Sequence, residues 1–176
     1  MVTPLYQPNK MHYLPSDIHL RLMAPADEAV FRRLYAEVRA PEMRMTQWSD
    51  AEIQAFCDSQ YAAQDKHYHA YYPDLEQWAV CHGSDVIGRL YLATFDGILI
   101  LMDITISLAW RGQGIGSTIV ADVVRQADLV PREMQLHVEP DNPARKLYLR
   151  LGFVELADQP TSEIYLEMRR AARVAA

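Results

Sequence analysis

Arg111-Gly112-Gln113-Gly114-Ile115-Gly116 constrains this chain more than any other stretch. It joins an apolar run, Ile98 to Leu108, to a helical pattern, Ile115 to Asp128. Three glycines in five residues leave the backbone bare of Cβ atoms at the mouth of a helix. The first N–H groups of that helix have no intrahelical partner, and the helix dipole adds partial positive charge there. Such a site suits a phosphate-bearing ligand, and Arg111 adds a permanent cation beside it. A P-loop would need Lys and Ser/Thr after the last glycine, and no Lys follows here. A dinucleotide fingerprint begun at Gly112 ends on Ser117, and one begun at Gly114 ends on Ile119, so neither completes.

A second segment follows about thirty residues on, beyond a short strand: Asn142-Pro143-Ala144-Arg145-Lys146-Leu147-Tyr148-Leu149-Arg150-Leu151-Gly152-Phe153. It reads as a compact helix. Asp141 or Asn142 can cap it, Pro143 suits its first position and Gly152 its C′ position. Ala144, Leu147, Tyr148 and Leu151 fall on one face.

The spacing Arg-x-x-Gly-x-Gly at Arg111, Gly114 and Gly116 resembles the acetyl-CoA motif of the GCN5-related N-acetyltransferases (GNAT). Asn142 to Phe153 resembles that family's second motif. The resemblance spans Ile18 to about Met168. One departure is that Asn142 and Tyr148 are six residues apart where the family usually has seven, so Asp141 competes with Asn142 for the cofactor-facing position. The implied fold is α/β (α+β), a mixed, mostly antiparallel central sheet with helices on both sides. The implied organisation is a lead-in at 1–16, one domain at 17–170 and a tail at 171–176.

The local pattern agrees with that order. Residues 1–16 carry three prolines and no clear period, a loose lead-in or a partner-binding arm. Ile18, Leu20 and Leu22 alternate as a strand. Pro25 opens a helix to about Ala40 with Ala29, Val30, Leu34 and Val38 inside, and Pro41 stops it. Ser49 and Glu52 form a capping box for a second helix to about Gln64. Three strands follow at Trp78–His82, Val86–Phe95 and Ile98–Leu108, joined by turns at Gly83-Ser84-Asp85 and Asp96-Gly97. Met134–Val138 is a strand, and Phe153–Leu156 with Ile164–Met168 reads as a closing pair.

Bulk properties exclude several classes. The chain has 176 residues, enough for one domain with a real core. A net charge of −6 argues against generic nucleic-acid binding. Cys57 and Cys81 form no disulfide framework or metal site and fit a reducing, cytoplasmic setting. Ile98–Leu108 is too short for a membrane span and contains Asp103. His67 and His69 lack a suitably spaced third ligand for zinc, so no metal is expected.

The resemblance implies acetyl transfer from acetyl-CoA to a primary amine, in a small molecule or a polypeptide, by direct transfer in a ternary complex. The backbone N–H groups of Gly112, Gln113, Gly114, Ile115, Gly116 and Ser117 would hold the pyrophosphate with Arg111. The backbone of Ile104, Thr105 and Ile106 would pair with the pantetheine arm, and Asn142 would face the cofactor. A lysine-like ammonium, with a pKa of about 10.4, is only about 0.04% neutral at pH 7, so a base must take its proton. Asp103 and His137 are the candidates, with Glu139 next. Tyr148 would protonate the departing thiolate, while a backbone N–H of the strand Ile104 to Ile106 would hold the oxyanion. Simpler roles stand beside these: Tyr148 as core, Asp103 as the partner of an Arg, His137 as an ordinary strand residue. Pro41 to Trp48, with Met43, Met45 and Trp48, is expected to wall the acceptor pocket. The His67–Tyr72 cluster is open between a second wall, a core cover and a homodimer contact. A CoA-binding module without turnover, or a transferase with another acyl donor or a hydroxyl acceptor, are the rival readings.

Overall fold

The computed structural model describes residues 4–8, 14–15, 17–156 and 165–173. The chain runs β1 (Ile18–Leu22), a 3-10 turn at Pro25–Asp27, α1 (Glu28–Met43), α2 (Asp50–Tyr71), β2 (Glu76–His82), β3 (Asp85–Phe95) and β4 (Ile98–Ile106). A second 3-10 turn, Leu108–Trp110, leads to α3 (Ile115–Leu129), β5 (Met134–Val138), α4 (Arg145–Arg150), β6 (Val154–Glu155) and β7 (Leu166–Arg170). Among the described residues, seven strands form one sheet in the order β1-β2-β3-β4-β5-β7-β6. Every neighbouring pair is antiparallel except β4 with β5. The β3–β4 hairpin turns on Asp96 and Gly97, whose φ values of 51° and 80° suit a type I′ turn.

Two apolar cores sandwich the sheet. On one face α3 packs Ile115, Ile119, Val120, Val123 and Val124 with Leu90, Leu101, Leu136 and Met168. On the other, Phe31 and Leu34 of α1 and Tyr61 of α2 pack with Ala79, Cys81 and Tyr91. Both cysteines are unbridged and buried. Among the described residues no helix is long and apolar enough to cross a membrane.

Several expectations are corrected. Pro41 does not stop α1, which continues to Met43. In the last turn a proline removes one helical hydrogen bond rather than breaking the middle of the ladder. The inner face of α1 is Phe31, Leu34 and Ala36. Ala29 is exposed and Val30 half-buried, while Val38 continues the Leu34 stripe beyond the core and stays exposed. The Ser49–Glu52 capping box forms as expected. Its helix, however, runs past Gln64 to Tyr71, because no glycine or proline interrupts it before Pro73. The lead-in is not loose at Tyr6, which is 1% exposed and donates its hydroxyl to Asp122 Oδ2 at 2.8 Å. Of the expected strand Ile164–Met168, Ile164 lies outside the described residues, and β7 extends two residues further, to Arg170.

Candidate active site

The sheet comes apart between β4 and β5. The two strands pair only at Leu99, Ile100 and Leu101, against Met134, Gln135 and Leu136. Beyond Leu101, β4 keeps its pairing with β3 alone, up to Ile106. A bulge accompanies the parting: Leu92 faces Leu101 and Tyr91 faces Asp103, so Met102 is the extra residue. The bulge resets which backbone groups face outward. Leu99 donates to the Glu133 carbonyl at 2.9 Å, toward β5, whereas Ser107 donates to the Ile87 carbonyl at 2.8 Å, toward β3. Alternation along an antiparallel ladder then turns the backbone of Asp103 and Thr105 toward β3 and leaves that of Ile104 and Ile106 facing the gap. Thr105 is therefore corrected as a backbone partner for a ligand. Its hydroxyl donates instead to Asp103 Oδ1 at 3.1 Å.

The glycine loop stands at the open end of this gap. Gly112 and Gly114 have φ values of 76° and 77°, which side chains other than glycine resist. Gly114 caps α3 with no side chain in the way, and Thr118 makes a helical bond back to its carbonyl at 2.9 Å. The N–H groups of Ile115, Gly116 and Ser117 precede that bond and lack helical acceptors. Gly112, Gln113, Gly114 and Ser117 are exposed, whereas the Ile115 side chain is buried in the core. Arg111 Nε donates to the Ile106 carbonyl at 2.8 Å, so part of the guanidinium holds the end of β4 while the residue lines the cleft.

A cleft of about 1020 Å³ extends from Arg111 through the gap to the last turns of α2. Asn142 and Tyr148 line its α4 side. Asn142 Oδ1 accepts from the Ala144 N–H at 2.9 Å, while Asp141 is exposed and does not line the cleft. Gly152, with φ 91°, ends α4 at the expected C′ position. Tyr148 is 7% exposed and rests edge-on against Phe153. Burial first, and then the nearby charge of Asp103, push its phenol up to about 12.

The structure separates the two base candidates. Asp103 lines the cleft, but its Oδ2 lies 2.6 Å from Arg89 Nε. Arg89 is 3% exposed, and its guanidinium lies within 5.1 to 5.8 Å of the ring centres of Tyr35, Tyr61 and Tyr91. It also donates to the Phe31 carbonyl at 3.3 Å. Sequence reasoning missed Arg89, since one Arg in a strand reads as a solvent-facing position. His137 lines the cleft with a 40% exposed side chain, and its Nε2 is 3.8 Å from Glu167 Oε2. Glu139 is tied to Arg39 at 3.1 Å.

The segment expected to wall the acceptor pocket does not line this cleft. None of Met43, Met45 and Trp48 lines the cleft. Met45 is 94% exposed, and Trp48 packs edge-on against Phe56. Their place is taken by Val38 and Arg39 of α1 and by Gln64, His67, Tyr68 and Tyr72 at the end of α2.

This architecture has relatives. The sequence profile of the Acetyltransferase (GNAT) family matches residues 27–153. The chain belongs to that family. GNAT proteins are acyltransferases, and the matched span runs from the turn before α1 to the end of α4, taking in the glycine loop, the gap and Tyr148. No curated protein matches the chain by sequence. Solved structures share the GNAT fold at low identity. PaiA N-acetyltransferase from Thermoplasma acidophilum, solved with coenzyme A, has a TM-score of 0.64 at 15% identity, covering 88% of this chain and 98% of that one. The ribosomal-protein-S18-alanine N-acetyltransferase from Escherichia coli has a TM-score of 0.63 at 14% identity, covering 90% and 96%. Spermidine N-acetyltransferase from Vibrio cholerae, solved with CoA and spermine, has a TM-score of 0.61 at 20% identity, covering 90% and 97%.

Proposed function

We propose that this GNAT protein is an acetyl-CoA-dependent N-acetyltransferase that moves the acetyl group directly to a primary amine in a ternary complex. The observation that carries the reading is the gap between β4 and β5, open from Arg111, which leads into the glycine loop, to Tyr148, with the backbone of Ile104 and Ile106 facing it. In this reading the N–H groups at the start of α3 hold the pyrophosphate with Arg111. Ile104 and the Ile106 N–H pair with the pantetheine amides, and Asn142 borders the arm. CoA complexes of GNAT-fold neighbours support the choice of donor.

For the chemistry, the amine nitrogen attacks the thioester carbonyl, a C–N bond forms and the C–S bond breaks. A backbone N–H of β4 stabilises the oxyanion. Tyr148 is protonated at neutral pH and gives its proton to the leaving thiolate. His137, exposed in the cleft, takes the amine's proton directly or through water. Asp103 is less suited, because Arg89 and Thr105 already engage both carboxylate oxygens. Buried, unbridged Cys57 and Cys81 accord with a cytoplasmic setting for the reaction.

Calorimetric titration with acetyl-CoA, followed by free-thiol release against a panel of amines and peptides, tests this. Binding with amine-dependent release is expected. Binding without release from any acceptor would favour a CoA-binding module, and absence of binding would overturn the donor assignment.

A further inference from the structure

The half of the cleft beyond the gap is lined by aromatic residues. Phe95 is paired with Ile98, at the far end of β4 from Ile106 and the glycine loop. It lines the cleft yet is 59% exposed. Across from it the last turns of α2 present Tyr68 and Tyr72, edge to face with ring centres 6.3 Å apart, and His67 beside them. Tyr165 lines the same cleft. Tyr68 continues inward to Tyr91 at 6.3 Å, so aromatic surface reaches from the mouth to the Arg89 cage.

Among the described residues, two carboxylates line the cleft, and both are already matched. Asp103 is held by Arg89 at 2.6 Å and Glu139 by Arg39 at 3.1 Å. Arg39 in turn contacts a second carboxylate, Glu42, and donates to the Tyr165 hydroxyl. A polycationic acceptor would need several carboxylates to replace its lost hydration, and both of these are engaged. An acidic acceptor would meet Arg39 already shared between two carboxylates. What the walls offer in quantity is ring faces and edges, which favour a flat apolar body and tolerate one cation.

From this geometry we infer that the acceptor is a primary amine carried on an uncharged aromatic body, of the arylalkylamine class. The ring lies among Tyr68, Tyr72 and Phe95 and the amine reaches inward toward Tyr148 and His137. The inference rests on the transferase reading above. The same chemistry could come from a free amine or from an aromatic residue at a polypeptide N-terminus.

The test is steady-state thiol release with acetyl-CoA and five acceptors: phenethylamine, tyramine, hexylamine, spermidine and a short peptide beginning with Phe. The aromatic acceptors are expected to exceed hexylamine and spermidine in kcat/KM by about tenfold or more. Tyr72→Ala and Phe95→Ala, both at partly open positions, should each raise KM for phenethylamine about fivefold. Their acetyl-CoA affinity should stay unchanged by calorimetry. A preference for the Phe peptide over the free amines would keep the aromatic chemistry and assign its source to a polypeptide. Equal or better use of spermidine or hexylamine would overturn the inference and leave the transferase standing, as would an unchanged KM in both variants. Acetyl-CoA binding without release from any of the five would overturn it as well. Loss of acetyl-CoA binding in the unmodified protein would instead remove the transferase reading beneath it.

Discussion

The two halves of β4 are neighbours in one strand and live under different rules. Leu99, Ile100 and Leu101 are flanked by β3 and β5, buried, and hydrogen-bonded on both sides. Ile104 and Ile106 have β3 on one side and an open gap on the other. Apolar residues run through both halves, and in sequence only Asp103 and Thr105 set the second apart. The difference comes from one extra residue, Met102, and from the partner strand. The bulge shifts the hydrogen-bonding phase of everything after it, and β5, which pairs with β7 along its other edge throughout, parts from β4 after Leu136. The first half is held on both edges, and the second keeps one edge open to the cleft, where the proposed function puts the cofactor.

That contrast can be broken by mutation. The largest effect is expected at Arg89, whose cage supports the wall of the open half. Arg89→Met leaves Asp103 without its cation and should cost about 3–5 kcal/mol in urea unfolding. A loss below about 1 kcal/mol would mean the pair is idle. Next come the halves themselves. Leu101→Ala should cost about 2–5 kcal/mol, and Ile104→Ala, at a half-buried position, clearly less. Equal losses would erase the distinction.

The chemical end of the open half is probed by Tyr148→Phe. It keeps the ring against Phe153, so it should lower kcat about 100-fold while acetyl-CoA affinity holds. Unchanged kcat would take Tyr148 out of the mechanism. The smallest effect concerns pH. The folded phenol of Tyr148 sits near 12, above the ordinary value of about 10. The proton donor therefore persists through about pH 10, and kcat should show no alkaline fall from this group below that. Stability has the opposite sensitivity. Burial raises Tyr61 to about 12 as well, so the folded state is fully favoured only below about pH 10. The melting temperature should decline as pH rises from about 10 toward 12, and a flat profile would contradict the burial of these hydroxyls.

Much of this was legible in the residues. The glycine loop, the Ser49 cap, the Asp96-Gly97 turn and the Tyr148 helix are local devices, and each carries its signal within a few positions. What escaped is tertiary. Arg89 reads as a polar outward residue of an antiparallel strand, but α1 and α2 cover that face and turn it into a buried cation. The end of α2 reads as an aromatic loop because His67 to Tyr72 lacks a strong apolar period. The helix holds there because Tyr61 and Tyr68 lie two turns apart on one face against Tyr91. The Met102 bulge has no residue signature, yet it decides that Ile104 and Ile106, and not Thr105, face the gap.

Amide hydrogen exchange along β4, with and without acetyl-CoA, tests the central claim most directly. In the free protein the amides of Leu99 and Leu101 should be protected and those of Ile104 and Ile106 should exchange quickly. Saturating acetyl-CoA should slow Ile104 and Ile106 selectively. Equal protection of both halves in the free protein, or no change at Ile104 and Ile106 when acetyl-CoA binds, would contradict the account.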